Sequence, residues 1–379
     1  MIKIEKFTGS RGLKRLEINL DKRRFFQNNN IPIVSKILKD IRVNKNKALI
    51  KYEKRFSNNN KIKPSKNEIN SAVKSLSPKI KKAIDFAYNR IFKYHTFQKA
   101  KDISYTDKLN NNLKYKFLPI KKVGIYVPAN LPSTLLMNAI PAKIAGVEKI
   151  ILANPRLNKK LNPAVIYAAK KLGIKEIYSI GGAQAIGSLT YIQKVDKIVG
   201  PGNIFVARAK KEVFGEVGIE GMIAGPSEIT ILADKNSEIK SLITSLIGQA
   251  EHDANSQCIT ISKDIIILKK IKKLIQSNLN SLSRKKIAQK SLKSNGLLIH
   301  ATSDKNILDL INLIAPEHLE INISNPKKYL NKIYNAGSIC IGKFSAMAVT
   351  DYNAGTNHVL PTMGSARFSS GLNVGDFYK

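Results

Sequence analysis

From Val123 onward the chain alternates short apolar runs with segments of helical spacing. The runs are VGIYVP (123–128), KIILANP (149–155), EIYSI (176–180), KIVG (197–200) and EITILAD (228–234). Between them lie LLMNAIPAKIAGV (135–147), NPAVIYAAKKLG (162–173), AQAIGSLTYI (183–192) and IFVARAKKEVFG (204–215), each apolar at helical intervals. Such alternation predicts right-handed βαβ units around a parallel sheet. A second series starts near 237, with strands expected at CITIS (258–262), GLLIHAT (296–302), HLEINI (318–323) and GSICIG (337–342). Two series predict an α/β fold of two Rossmann-like halves, each an incomplete, doubly wound parallel sheet. Before them, VSKILKDIRVNKNKALIKYEKRF (34–56) and INSAVKSLSPKIKKAIDFAYNRIFKYH (69–95) carry helical periodicity. The expected divisions are a mainly helical region over 1–118 that packs with the second α/β domain, a first α/β domain over 119–232, and a second over 233–379.

Length agrees with this division, since 379 residues exceed the roughly 250–300 that one core serves. The net charge of +37 raises the possibility of a nucleic-acid partner. The positive charge is mostly Lys spread along the chain beside Asn runs at 28–30, 58–60 and 110–112, and a compositional drift explains it without that partner. The densest basic runs, ILKKIKKLIQ (267–276) and SRKKIAQKSLK (283–293), have helical spacing and read as solvated faces. No apolar stretch approaches the roughly 20 residues of a membrane span, and the first twenty residues hold no secretory signal. A cytoplasmic protein with neither nucleic acid nor membrane as partner is expected. Only Cys258 and Cys340 are present, both in apolar strand patterns, so a disulfide framework is excluded and both are expected in the core.

Several polar stretches interrupt the pattern. KIVGPGN places Gly200, Gly202 and Asn203 between a strand and a helix, either as a phosphate-binding turn or as a tight turn capped by Asn203. SIGGAQAIG brings Gly181, Gly182 and Gln184 to another strand end, and neither stretch is the usual dinucleotide fingerprint. In APEHLE, Glu317 and His318 are a carboxylate and an imidazole suited to general acid/base work, or an exposed turn. The long irregular FSAMAVTDYNAGTNHVLPTMGSARFSSGLNVGDF holds Asp351 and His358; Asp351 could ligate a metal or cap a turn. In GQAEHDANSQ, Gln249 and His252 are three apart on one helix face, as a metal pair or as a helix end where His complements the dipole.

Taken in order, GPGNIFVARAK, AGPSEITILAD, QAEH followed by SQ, APEHLE and TDYNAGTNHVLPT resemble the histidinol dehydrogenase family. The resemblance runs from about 118 to the last residue and more loosely through the preceding helices. It implies a homodimeric enzyme that oxidises L-histidinol to L-histidine through the aldehyde, the last step of histidine biosynthesis. Two NAD are reduced in succession, with one Zn2+ per subunit. On this sequence it implies Gln249, His252 and Asp351 as zinc ligands and Glu317 and His318 as the acid/base pair. Ser227, Gln249, His252, His318, Asp351 and His358 would contact substrate, and Tyr126, Gln184 and Asn203 would contact NAD. Zinc and the acid/base pair would then belong to the second α/β domain and NAD to the first.

This chemistry needs no cysteine nucleophile. Relatives continue beyond GDFYK into a small helical region that supplies a substrate-binding Glu and a further His ligand to zinc across the dimer. The loop after GIYVP and the stretch between Gln184 and Asn203 are also abbreviated. These departures motivate a second expectation, a degenerate zinc- or nucleotide-binding scaffold with reduced or no turnover.

Overall fold

The computed structural model describes residues 2–25, 32–220 and 225–379; the Asn run at 28–30 lies outside them. Among the described residues thirteen strands succeed one another. They are β1 (Lys3–Glu5), β2 (Ile103–Thr106), β3 (Asn112–Tyr115), β4 (Lys122–Tyr126), β5 (Lys149–Ala153), β6 (Glu176–Tyr178), β7 (Lys197–Val199), β8 (Gly218–Ile219), β9 (Glu228–Ala233), β10 (Gln257–Ser262), β11 (Gly296–His300), β12 (His318–Asn322) and β13 (Ser338–Ile341). The chain forms two compact units. The first holds a six-stranded sheet in the order β1-β11-β10-β9-β12-β13, and the second a five-stranded sheet in the order β6-β5-β4-β7-β8. Every pairing within these two sheets is parallel.

Both sheets are covered on both faces, as the near-continuous apolar runs require. In the five-stranded sheet Val123, Ile125 and Leu152 enter one core with helices Pro132–Ala145 and Pro163–Lys171. Their neighbours Tyr126, Ile151 and Ala153 enter another core with helices Pro32–Ser57 and Ile204–Val213. In the six-stranded sheet Ile229, Ile231 and Cys258 pack towards helices Ile239–His252 and Ile265–Asn278. Leu232, Ile259, Leu319 and Ile321 pack on the opposite side with Leu16, Leu20 and helix Asp304–Ile314. The period-two alternation of a strand assigns each residue to one of these faces.

The divisions differ from those expected at 118 and 232. Residues 2–25, with β1 and helix Gly9–Phe25, belong to the six-stranded unit, whereas the helices from Pro32 to Thr96 belong to the five-stranded unit. β9, placed in the first series by periodicity, lies at the middle of the other sheet, between β10 and β12. Residues 351–359 and 372–379 return to the five-stranded unit, where the Leu118 and Lys379 backbones exchange hydrogen bonds of 3.0 and 2.8 Å. Which strands pair is decided by tertiary packing, because apolar runs of one sheet read like those of the other.

Local chemistry sets the helix bounds. The periodicity over 69–95 is split into Lys66–Ser75 and Pro78–Thr96. Ser65 and Glu68 form a capping box on the first of these, and Ser77 caps the second with Pro78 in its opening turn, where a missing N–H costs nothing. Both cysteines are buried, and burial pushes the Cys258 thiol up to about 12.

Candidate active site

The amino edge of the six-stranded sheet gathers the polar chemistry of its unit. Ser227, Glu317 and Gln257 stand at adjacent strand starts, since β10, β9 and β12 are neighbours. The Ser227 carbonyl accepts from the Gln257 N–H at 3.0 Å. In register, His318 lies between Ile229 of β9 and Ser338 of β13. Glu317 precedes β12, and its Oε2 accepts the Glu228 backbone N–H at 2.8 Å. Its Oε1 is 3.8 Å from His318 Nε2. Both residues are buried, at 6% and 2% exposure, which excludes the exposed-turn reading of APEHLE. Adjacent residues of an extended chain point apart, and the pair meets only because Glu317 stands outside the strand, pinned by its carbonyl to the Ser338 N–H at 2.9 Å.

Helix Ile239–His252 links β9 to β10, so its last turn returns to the same amino edge. Ser245, Gln249 and His252 follow one another at four and three residues along one stripe. The Ser245 hydroxyl donates to Glu320 Oε1 at 2.9 Å, on the face of β12 that also carries His318. Gln249, one turn beyond Ser245, is buried. Burial holds the His252 imidazole below its ordinary pKa, against the raising effect of Asp253, so the ring tends to be neutral as a metal ligand must be.

The second cluster lies at the carboxyl ends of the five-stranded sheet. There the strand order reverses between β4 and β7, the place where open parallel sheets bind ligands. Gly200 has φ +102, and a Cβ on it would lie 2.0 Å from the Tyr126 carbonyl oxygen, so only glycine lets the ends of β4 and β7 approach. Asn203 is the cap of helix Ile204–Val213: its Oδ1 accepts from the Phe205 and Val206 N–H groups, both at 3.2 Å. The cap satisfies two of the open N–H groups of this ten-residue helix, whose start is exposed at Ile204 and Phe205. The Gln184 Nε2 donates to Glu53 at 2.9 Å, and the Tyr126 hydroxyl accepts from the Gly182 N–H at 3.4 Å. Both side chains are buried, which makes them walls of the loop after β6.

Asp351 and His358 belong to the five-stranded unit, and His358 Nδ1 is 2.9 Å from the Asp351 backbone carbonyl. Burial raises the Asp351 carboxyl to about 7. Among the described residues no group of three or more His, Cys, Asp or Glu is arranged to hold a metal.

Among the described residues four further buried charged side chains, Glu53, Lys210, Glu228 and Glu320, stand outside the candidate site residues. Glu53 lies four residues after Leu49 on the buried stripe of helix Pro32–Ser57; it accepts from the Gly181 N–H at 2.9 Å as well as from Gln184. Lys210, four after Val206, is 1% exposed and donates to the Gly200 and Glu220 carbonyls at 2.6 and 3.2 Å. A charged residue on an apolar stripe was the available signal for both. Glu228 and Glu320 sit on central strands, and Glu320 also accepts from the Met347 N–H at 2.7 Å. Burial raises the pKa of Glu53 and of Glu320.

Two doubly covered parallel sheets, one with a buried carboxylate–imidazole pair at its strand starts and the other with a glycine turn at its switch point, define a protein of the α/β class. A solved acetylating aldehyde dehydrogenase from Geobacillus thermoglucosidasius shares the fold at TM-score 0.52 and 12% identity, over 97% of this chain and 95% of that one. The chain belongs to the histidinol dehydrogenase family and is an oxidoreductase: the histidinol dehydrogenase family model matches residues 21–379. A histidinol dehydrogenase from Pelagibacter ubique (strain HTCC1062) is 56% identical, covering 100% of this chain and 90% of its own. One from Lactiplantibacillus plantarum is 42% identical over 91% of this chain and 83% of its own. The crystal structure of histidinol dehydrogenase from Elizabethkingia anophelis matches at TM-score 0.91 and 36% identity, covering 100% of this chain and 89% of that one.

Proposed function

We propose that the protein oxidises L-histidinol to L-histidine by way of histidinaldehyde, passing two hydrides in succession to NAD with one Zn2+ per subunit. The observation that carries this reading is the buried Glu317–His318 pair at the amino edge, in a chain of this family. His318 takes the alcohol proton as hydride leaves the carbinol carbon. Glu317, held by the Glu228 N–H, then removes a proton from the water that hydrates the aldehyde, preparing the second hydride transfer. Ser227, Gln249, His252, His318, Asp351 and His358 are the proposed substrate contacts.

Gln249, His252 and Asp351 are the proposed zinc ligands. The donors fit a cation: His252 is kept neutral by burial, and burial disfavours the charge of Asp351, which a cation would offset. When bound, the metal supplies a fixed positive charge that anchors the substrate imidazole and amine. For NAD we assign the crevice at the carboxyl ends of β4 and β7, with Tyr126, Gln184 and Asn203 around it. The exposed helix start after Asn203 supports a pyrophosphate there.

The scaffold without turnover is not favoured, because the histidinol dehydrogenase family model matches residues 21–379 and a histidinol dehydrogenase is 56% identical over the whole chain. Hairpin β2–β3 leaves Ile103, Tyr105, Leu113 and Tyr115 each more than half exposed, which supports its use as an arm in a homodimer. No helix among the described residues is long and apolar enough to cross a membrane, and we propose a cytoplasmic location. The decisive test is NADH formation by zinc-loaded protein given L-histidinol; no NADH above background would sink the reading. Zinc content per chain should fall in His252→Asn, and sedimentation should give a dimer.

A further inference from the structure

Arg23 lies near the end of helix Gly9–Phe25, more than two hundred residues from the acid/base pair in sequence, yet it is built into the same edge of the sheet. Its guanidinium pairs with the carboxylate of Glu228, the first residue of β9. It also donates to the Pro226 carbonyl at 3.1 Å and the Asn255 carbonyl at 3.3 Å. The Arg23 and Glu228 side chains are 13% and 3% exposed. The Glu228 carboxylate in turn accepts the Met363 N–H at 3.2 Å, while the Glu228 backbone N–H holds the Glu317 carboxylate at 2.8 Å.

One side chain thus clamps the residue before Ser227, the loop between His252 and β10, and the strand start whose N–H aims Glu317. A planar guanidinium can serve a carboxylate and two carbonyls at once; an ammonium on a flexible stem cannot hold the same fork. We propose that Arg23 is a positioning residue for Glu317, acting through Glu228. The inference rests on the reading that Glu317 activates water for aldehyde oxidation. It predicts that the second half-reaction depends on Arg23 more than the first, because only the second needs Glu317 aimed at a water. Misplacing a reacting group by about an ångström can cost on the order of a hundredfold.

The test compares wild-type protein with Arg23→Lys, Arg23→Gln and the double variant Arg23→Gln/Glu228→Gln. Arg23→Lys keeps the charge balance beside Glu228, and the double variant leaves no unpaired charge, so both guard against a result caused by unfolding. The two half-reactions are followed separately, as single-turnover NADH formation from histidinol and steady-state NADH formation from histidinaldehyde, together with Tm. In Arg23→Lys we expect Tm near wild type, kcat for the aldehyde about tenfold lower with KM little changed, and the first hydride transfer nearly intact. Arg23→Gln should lose more, and the double variant should regain Tm without regaining the aldehyde step. Wild-type aldehyde rates in Arg23→Lys and Arg23→Gln would overturn the inference, as would parallel loss of both half-reactions in proportion to Tm. If wild-type protein turns over neither compound, the functional reading fails and this inference with it; turnover in wild type with unaffected variants overturns the inference alone.

Discussion

Lys210 is the buried group whose removal has the most informative consequence. Its ammonium lies beneath the GPGN turn, donating to the Gly200 and Glu220 carbonyls, and burial lowers its pKa from 10.5 to about 8 against the opposing pull of Glu220. That drop corresponds to about 3 kcal/mol of cost for keeping the charged form inside at neutral pH. Lys210→Met removes this cost but leaves two carbonyls without their donor, at about 1–3 kcal/mol each. Near pH 7 the two effects largely offset, and the variant should lie within a few kcal/mol of wild type. Between pH 8 and 10.5 the unfolded lysine still holds its proton while the folded one has released it. The unfolded state binds more protons there, so the Lys210 contribution to wild-type stability rises with pH. The neutral amine continues to donate to both carbonyls, and the variant has no corresponding gain. Wild type should therefore pull ahead of Lys210→Met by about 3 kcal/mol over that window, with tyrosine ionisation cancelling in the difference. Urea unfolding of both proteins at half-unit steps from neutral pH upward measures it. A difference that stays constant, or shrinks, would refute the reading of Lys210 as a buried charge.

Gly200→Ala should fold poorly or displace the turn, since its Cβ would meet the Tyr126 carbonyl oxygen at 2.0 Å; calorimetric titration should show NAD affinity reduced at least about tenfold. Gly248→Ala is expected to do the opposite for stability, because its Cβ meets nothing within 4 Å on an exposed helix position, and urea unfolding should show a gain of about 0.5–1 kcal/mol. Glu53→Ala strips the acceptor from the Gly181 N–H and the Gln184 amide. It should cost about 2–4 kcal/mol and weaken NAD binding, with unchanged affinity refuting its role in holding the loop after β6.

The alternation of strand and helix from Val123 onward was legible without any coordinates, because the periodicities of a pleated strand and of a helix are local. The Asn203 cap was one of two readings open for KIVGPGN, whereas the need for glycine at position 200 comes from the Tyr126 carbonyl on another strand. The motif residues of APEHLE and QAEH could be singled out by type and, through their order along the chain, by resemblance to the family. Local pattern could not say that β9 sits at the middle of the other sheet, that helix Gly9–Phe25 and helix Pro32–Ser57 part company into different units, or that residues 372–379 return to pair beside Leu118. Those are choices among apolar surfaces of similar composition, made by the packing of the whole chain. The same holds for Arg23 and Glu228, ordinary charges in sequence that become a buried pair only when the first helix is laid against the amino edge of β9. Residue types and local spacing thus determined the elements and the chemistry available to them, while long-range packing decided which distant groups share one environment and which of them are shielded from water.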